Sequence, residues 1–208
     1  CAWFSARRDR NAREGGRRRV IPLSPIDHVF TGRGAYPLEF VFAYGGPLDV
    51  DRLSSSLRQT LARFPAVGSR LVPLPGGAYG LEPSEGGCSF EVATSPTTFG
   101  DSAERCAFAA PVESVPGQPL ARVRLTRTPD GSVLGVSLSH AVVDGFSYFY
   151  FLSAWSQVFH GRPVPPPWLD RGALSPRGAP SGPGDEGSAG TADFSGPVPP
   201  VSLGMTSG

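Results

Sequence analysis

The strongest constraint on this 208-residue chain is a pair of β-prone runs joined by Pro129-Asp130-Gly131, with His140 at the end of the second run. Leu120, Val123 and Leu125 lead into the turn, and Val133 to Leu138 lead out of it. Asp-Gly between two such runs predicts a hairpin, because glycine tolerates the positive φ that tight turns need. The second strand delivers Ser139-His140-Ala141-Val142-Val143-Asp144-Gly145 at its carboxyl end. Behind it, Phe146, Phe149, Tyr150, Ala154, Trp155, Val158 and Phe159 fit a helix with a broad apolar face. Gly161 and Pro163 stop that helix.

The segments upstream supply the neighbours such a hairpin needs. Order is expected to begin near Pro22-Leu23-Ser24-Pro25-Ile26-Asp27, where turn-formers meet apolar residues. Leu38 to Tyr44 is a short apolar and aromatic run bounded by Pro37 and Gly45-Gly46, which reads as a buried strand. A helix follows, capped by Asp49 or Asp51. Along it Val50, Leu53, Leu57, Leu61 and Phe64 form one stripe, Arg52, Arg58 and Arg63 lie off it, and Pro65 stops it. Arg70 to Leu74, Tyr79 to Leu81 and Ser89 to Val92 read as strands between Gly- and Pro-rich turns, and Ser102 to Ala110 reads as a helix. This order of elements predicts an α/β (α+β) domain with a mixed sheet.

Composition narrows the partners and the compartment. The 27 Gly and 23 Pro are too many for a uniformly folded chain. They concentrate beyond the second helix, so residues 163–208 are expected to be a largely disordered linker or crossover. Residues 1–20 hold seven Arg without hydrophobic periodicity and are expected to be a disordered arm. The chain opens on Cys1 and has Met205 as its one methionine, and is read as a fragment. A net charge of +1 gives no footprint for nucleic acid or an anionic membrane. No apolar run has the length to span a bilayer, and no apolar leader core follows the Arg-rich start. Cys1, Cys88 and Cys106 form no CxxC pair, so neither a metal site nor a disulfide framework is expected and a reducing, cytoplasmic compartment is.

His140 stands where functional side chains are commonly placed, at the end of a strand before a loop and a helix. An imidazole titrates near neutral pH and can take a proton from a hydroxyl or an amine. Spacing alone leaves two roles open for Asp144: orienting the imidazole as a triad carboxylate does, or facing away and tying the loop together. Gly145 permits the tight entry into the helix. His28 and His160 have no Asp four residues later and read as structural or exposed.

The run Ser137-Leu138-Ser139-His140-Ala141-Val142-Val143-Asp144-Gly145 resembles the plant-type BAHD family of HxxxD acyltransferases. The likeness continues in order through Leu23-Ser24-Pro25-Ile26-Asp27, Gly46 to Leu53, Phe64-Pro65-Ala66-Val67-Gly68-Ser69-Arg70-Leu71, Pro116 to Ala121 and Pro167-Trp168-Leu169-Asp170-Arg171. It covers about residues 21–177, and residues 21–162 would form the amino-terminal acyltransferase domain. The family's Asp-Phe-Gly-Trp-Gly segment is absent; Asp193-Phe194-Ser195-Gly196 is only a partial match and comes too early.

The resemblance implies a chloramphenicol-acetyltransferase-like fold, of which this chain would be one half of a two-domain architecture. It implies acyl transfer from acyl-CoA, a co-substrate rather than a bound cofactor, to an alcohol or amine, by an enzyme monomeric when full length. His140 would be the general base, with Asp144 and Gly145 structural in the active-site loop. No covalent acyl-enzyme is implied, which agrees with the lack of a G-x-S-x-G motif. The isolated chain would then be inactive or poorly folded, its sheet and helix faces lacking the partner domain that buries them. Two other readings stand beside this one. A condensation-type domain would act on carrier-protein thioesters, although Ser139 occupies the place of the second His usual there. A non-catalytic remnant would use Pro165-Pro166-Pro167 and Pro197-Val198-Pro199-Pro200 as polyproline ligands.

Overall fold

A computed structural model describes residues 20–84, 86–102, 105–165 and 167. The elements in chain order are β1 (Ile21–Pro22), β2 (Pro37–Tyr44), α1 (Val50–Leu61), β3 (Ser69–Pro73) and β4 (Tyr79–Pro83). β5 (Cys88–Thr94), β6 (Ala121–Thr128), β7 (Gly131–Ser139) and α2 (Gly145–Phe159) complete the set. Short 3-10 turns lie at Asp27–Phe30, Pro75–Gly77 and Arg105–Phe108. Nearly all of the arm expected at 1–20, most of the linker expected at 163–208, and within it Pro166, Pro197-Val198-Pro199-Pro200 and the partial Asp-Phe segment fall outside the described residues.

The hairpin is the centre of the fold. β6 and β7 pair antiparallel from Ala121↔Leu138 to Thr128↔Gly131, leaving Pro129 and Asp130 as the two-residue loop. Gly131 therefore opens β7 rather than sitting inside the turn. Its φ is 156°, and a Cβ there would lie 2.0 Å from the carbonyl oxygen of Tyr44. Close approach of the neighbouring strand is thus the second reason for glycine at this position. β2 pairs antiparallel with the outer edge of β7, and β5 runs parallel to β6, giving a mixed sheet in the order β2-β7-β6-β5. A second sheet, β1-β4-β3, is antiparallel throughout.

Side chains alternate across a strand, and the two faces of β7 meet different partners. Leu134, Val136 and Leu138 join Val123 and Leu125 of β6 in the core shared with α1 and α2. Leu53 and Leu57 of α1 are buried there as expected, but so are Ser56 and Thr60. Their hydroxyls bond back to Leu53 O and Ser56 O within the helix, which removes the cost of burying them. Asp49 caps α1, its Oδ1 accepting from Arg52 N at 3.0 Å. The helix ends at Leu61, and Phe64 enters the core from the turn that follows.

The face that α2 buries differs in part from the expected one: Ala154 and Trp155 are buried as expected, and Tyr150, Val158 and Phe159 pack against the core. Tyr148, Phe151, Ala154 and Trp155 are buried, whereas Phe146 is 80% and Phe149 49% exposed. The aromatic density of this helix makes several stripes equally apolar, so hydropathy alone could not choose among them. Polar handles help to set the rotation. Tyr148 Oη donates to Val136 O at 2.8 Å, and Trp155 Nε1 donates to the buried Ser56 Oγ at 2.9 Å. Full burial of a large side chain contributes about 1.5–3 kcal/mol, so Tyr148 and Phe151 are principal anchors. Val164, beyond the end of α2, is also buried, and its carbonyl accepts from Arg63 Nη1.

The opposite face of β7 is covered by the segment from Arg105 to Val115. Among its described residues the helix expected over 102–110 is only the short turn Arg105–Phe108. The chain there lies flat against the sheet, where a Cβ on Gly135 would stand 2.2 Å from Phe108 O. Arg124 of β6 donates to the carbonyls of Ala107 and Ala109 and pairs with Glu91 of β5. Those carbonyls are bonded to a side chain instead of to a further helical turn.

Candidate functional site

His140 is the first residue beyond β7, half-buried, at the turn that leads into α2. The register places it beside two anchors. Ser139 N donates to Leu120 O at 2.9 Å, and the buried Ser139 Oγ lies 2.7 Å from the buried Ser114 Oγ. Ser139 Oγ also accepts from Ala141 N, while Ser139 O accepts from Val142 N and Val143 N. Ala141, Val142 and Val143 are buried, so the turn is packed as well as hydrogen-bonded.

The ring of His140 stacks on Phe30, with centroids 4.0 Å apart and planes inclined by 13°. Among the described residues no group hydrogen-bonds to either ring nitrogen. Asp144 is turned to another task. Its Oδ1 accepts from Ser147 N at 2.7 Å and so caps α2. That hydrogen bond holds its carboxyl below the usual range, helped by Ser147's side chain and to a lesser degree by the nearby His140. The helix N-terminus favours the same anionic form. Gly145 is the first residue of α2, and a Cβ there would meet open space.

The remaining candidates are sorted by the same geometry. His28 is structural: Tyr79 N donates to its Nε2 at 2.9 Å, and its Nδ1 lies 2.9 Å from Ser24 O. A backbone N–H can only donate, so Nε2 is the acceptor and Nδ1 carries the proton. His160 is exposed at the carboxyl end of α2. Cys88 and Cys106 are free thiols, and burial pushes that of Cys88 up to about 12, which removes it as a thiolate nucleophile. An apolar cavity of about 350 Å³, lined by Phe42, Leu53, Trp155 and His160 among others, opens at the far end of α2 from His140. The chemistry-bearing ring and this cavity are therefore separate features. Phe30 and Ser114 were not visible as site residues in the sequence, because Phe30 reaches His140, and Ser114 reaches the adjoining Ser139, from segments distant in the chain.

Among the described residues no helix is long and apolar enough to cross a membrane. Comparison with solved structures supports the architecture. TRI101 from F. graminearum, complexed with coenzyme A and deoxynivalenol, matches with a TM-score of 0.57 at 17% identity, covering 71% of this chain and 40% of that one. The epimerization domain from the third module of tyrocidine synthetase B matches with a TM-score of 0.54 at 21% identity, covering 71% and 37%. The fold is chloramphenicol-acetyltransferase-like, with the expected mixed sheet.

Sequence relatives agree. A hydroxycinnamoyl-CoA:5-hydroxyanthranilate N-hydroxycinnamoyltransferase from Avena sativa is 28% identical over 64% of this chain and 33% of its own length. Hydroxycinnamoyltransferase 2 from Oryza sativa is 28% identical over 78% of this chain and 39% of its own length. A BAHD acyltransferase from Arabidopsis thaliana is 38% identical over a shorter stretch, 26% of this chain and 12% of its own. The chain thus spans well under half the length of these relatives. The model of the Transferase family matches residues 17–191. With that match across most of its length and BAHD acyltransferases among its relatives, this chain belongs to the Transferase family.

Proposed function

We propose that this chain carries the general base of an acyltransferase that moves an acyl group from acyl-CoA to an alcohol or amine. The observation that carries the proposal is His140 itself: a half-buried imidazole at a strand end, stacked on one face, with neither nitrogen engaged by a described residue. Family membership, hydroxycinnamoyl-CoA in a relative's name and coenzyme A in a structural neighbour support the choice of donor. A small alcohol or amine is the acceptor partner, in keeping with the N-acyltransferase among the relatives.

In this reading a ring nitrogen of His140 takes the proton from the acceptor's hydroxyl or amine as its lone pair attacks the thioester carbonyl. The C–S bond then breaks, and the proton leaves with the CoA sulfur. General-base assistance of this kind contributes roughly 10²–10⁴-fold. Asp144 keeps the turn in shape through the α2 cap and makes no contact with the reacting atoms. Gly145 opens α2 immediately behind it. The test is turnover by the longest polypeptide containing this chain, with hydroxycinnamoyl-CoA and a panel of alcohols and amines, following release of free CoA. His140→Ala is expected to abolish turnover with only a small drop in melting temperature; turnover equal to the parent's would refute the assignment.

A further inference from the structure

The segment Ser24–Gly32 reaches His140 from the opposite end of the chain and is fixed on both sides of Phe30. Upstream, His28 uses both ring nitrogens, one toward Ser24 O and one accepting from Tyr79 N of β4. Asp27 Oδ2 accepts from Ser24 N and Ser24 Oγ, closing the same turn. Downstream, Gly32 N donates to Ser114 O at 2.7 Å, with Gly32 at a φ of 99° that an L side chain rarely adopts. Ser114 Oγ in turn meets Ser139 Oγ, on the residue before His140. Between these anchors the Phe30 ring lies nearly parallel to the imidazole, 4.0 Å from it.

We propose that the His28–Phe30 turn is a positioning element for His140: His28 pins the turn to β4, and Phe30 holds the imidazole by stacking on one face. A ring so held can still rotate a nitrogen toward a substrate only within the plane that Phe30 defines. The orienting task that a carboxylate performs in a triad is carried here by an apolar ring, because the Asp144 carboxylate caps α2. Phe30 is a positioning residue and touches no reacting atom. The catalytic consequence rests on His140 being the base; the geometric claim does not.

The geometric claim is tested by NMR of the longest folded polypeptide containing this chain with labelled histidine, the His140 signals being assigned by their loss in His140→Gln. Stacking on a ring face displaces the carbon-bound ring protons of His140 upfield of their random-coil positions. Phe30→Leu, which keeps an apolar side chain of similar size, removes that displacement, and Phe30→Tyr retains it. His28→Ala also removes it, although His28 does not stack on His140, and His28→Gln restores part of it by accepting from Tyr79 N. Wild-type signals at random-coil positions would overturn the stack. Undisturbed His140 signals in a folded His28→Ala chain would overturn the role of His28. The Phe30 pair remains decisive if the His28 variants unfold.

In a polypeptide with measurable turnover, Phe30→Leu lowers kcat by about 10-fold or more and leaves KM for acyl-CoA unchanged, while Phe30→Tyr keeps parental kcat. An unchanged kcat in Phe30→Leu would overturn the positioning role. Retained turnover in His140→Ala would overturn the base assignment and leave the NMR result standing.

Discussion

The two faces of β7 are held by different forces. One carries Leu134, Val136 and Leu138 against α1 and α2 and is stabilised chiefly by buried apolar area. The other carries Ser137 and Ser139, which meet Val112 N and Ser114 Oγ of the crossing segment. The first face tolerates small changes of angle, because apolar burial is non-directional, while close packing fixes its distances. The second does not, because a hydrogen bond weakens steeply with angle and distance. His140 follows directly on the strand that both faces hold, so its height above the core is set by packing and its lateral position by the hydroxyl pair.

The largest expected effect is on the apolar face. Trp155→Ala removes a buried indole and leaves Ser56 Oγ without its donor. It should cost about 3–5 kcal/mol in urea denaturation. A loss under about 1 kcal/mol would show that the helix layer contributes little to holding β7.

The next test is on the polar face. Ser139→Ala strands the buried Ser114 hydroxyl and removes the acceptor for Ala141 N. The expected cost is about 1–3 kcal/mol. Adding Ser114→Ala should recover part of it, since two removed partners leave fewer polar groups orphaned. Strict additivity of the two losses would mean that the hydroxyl pair does not couple.

The smallest effect concerns the loop beyond both faces. Asp144→Ala removes the cap of α2 and should cost about 1 kcal/mol at neutral pH. The folded carboxyl is held lower than the unfolded one. Its contribution is therefore present above the unfolded value of about 3.9 and fades as pH falls through the folded value. The difference in stability between the parent and Asp144→Ala should shrink on acidification below pH ~4. A difference that grew there would contradict the cap.

What the sequence made legible follows the same division. The hairpin, α1 with its Asp49 cap, and the delivery of His140 by β7 were readable, because alternation, capping residues and turn-formers act over a few neighbouring positions. The buried face of α2 was readable only in part: Ala154 and Trp155 are buried as expected, but Phe146 and Phe149 are as apolar as Phe151, and Tyr148 and Trp155 help to make the choice by finding polar partners across the core. The helix expected at 102–110 gave way, among the described residues, to a short turn, because the segment lies against Gly135 and lends its carbonyls to Arg124. At the candidate site His140 and Asp144 were visible as a motif, but Phe30 and Ser114 belong to it only through tertiary contact. The carboxylate left with two open roles is observed as a helix cap.

The central claim is that the loop divides its labour, with His140 doing the chemistry and Asp144 holding the helix. It is tested most directly by measuring kcat and melting temperature side by side for His140→Ala and Asp144→Asn in the longest active polypeptide containing this chain. The account predicts that His140→Ala loses at least about 10²-fold in kcat with only a small drop in melting temperature. Asp144→Asn, which retains a capping oxygen, should keep most of both. Retained turnover in His140→Ala, or an equal loss in a stably folded Asp144→Asn, would contradict it.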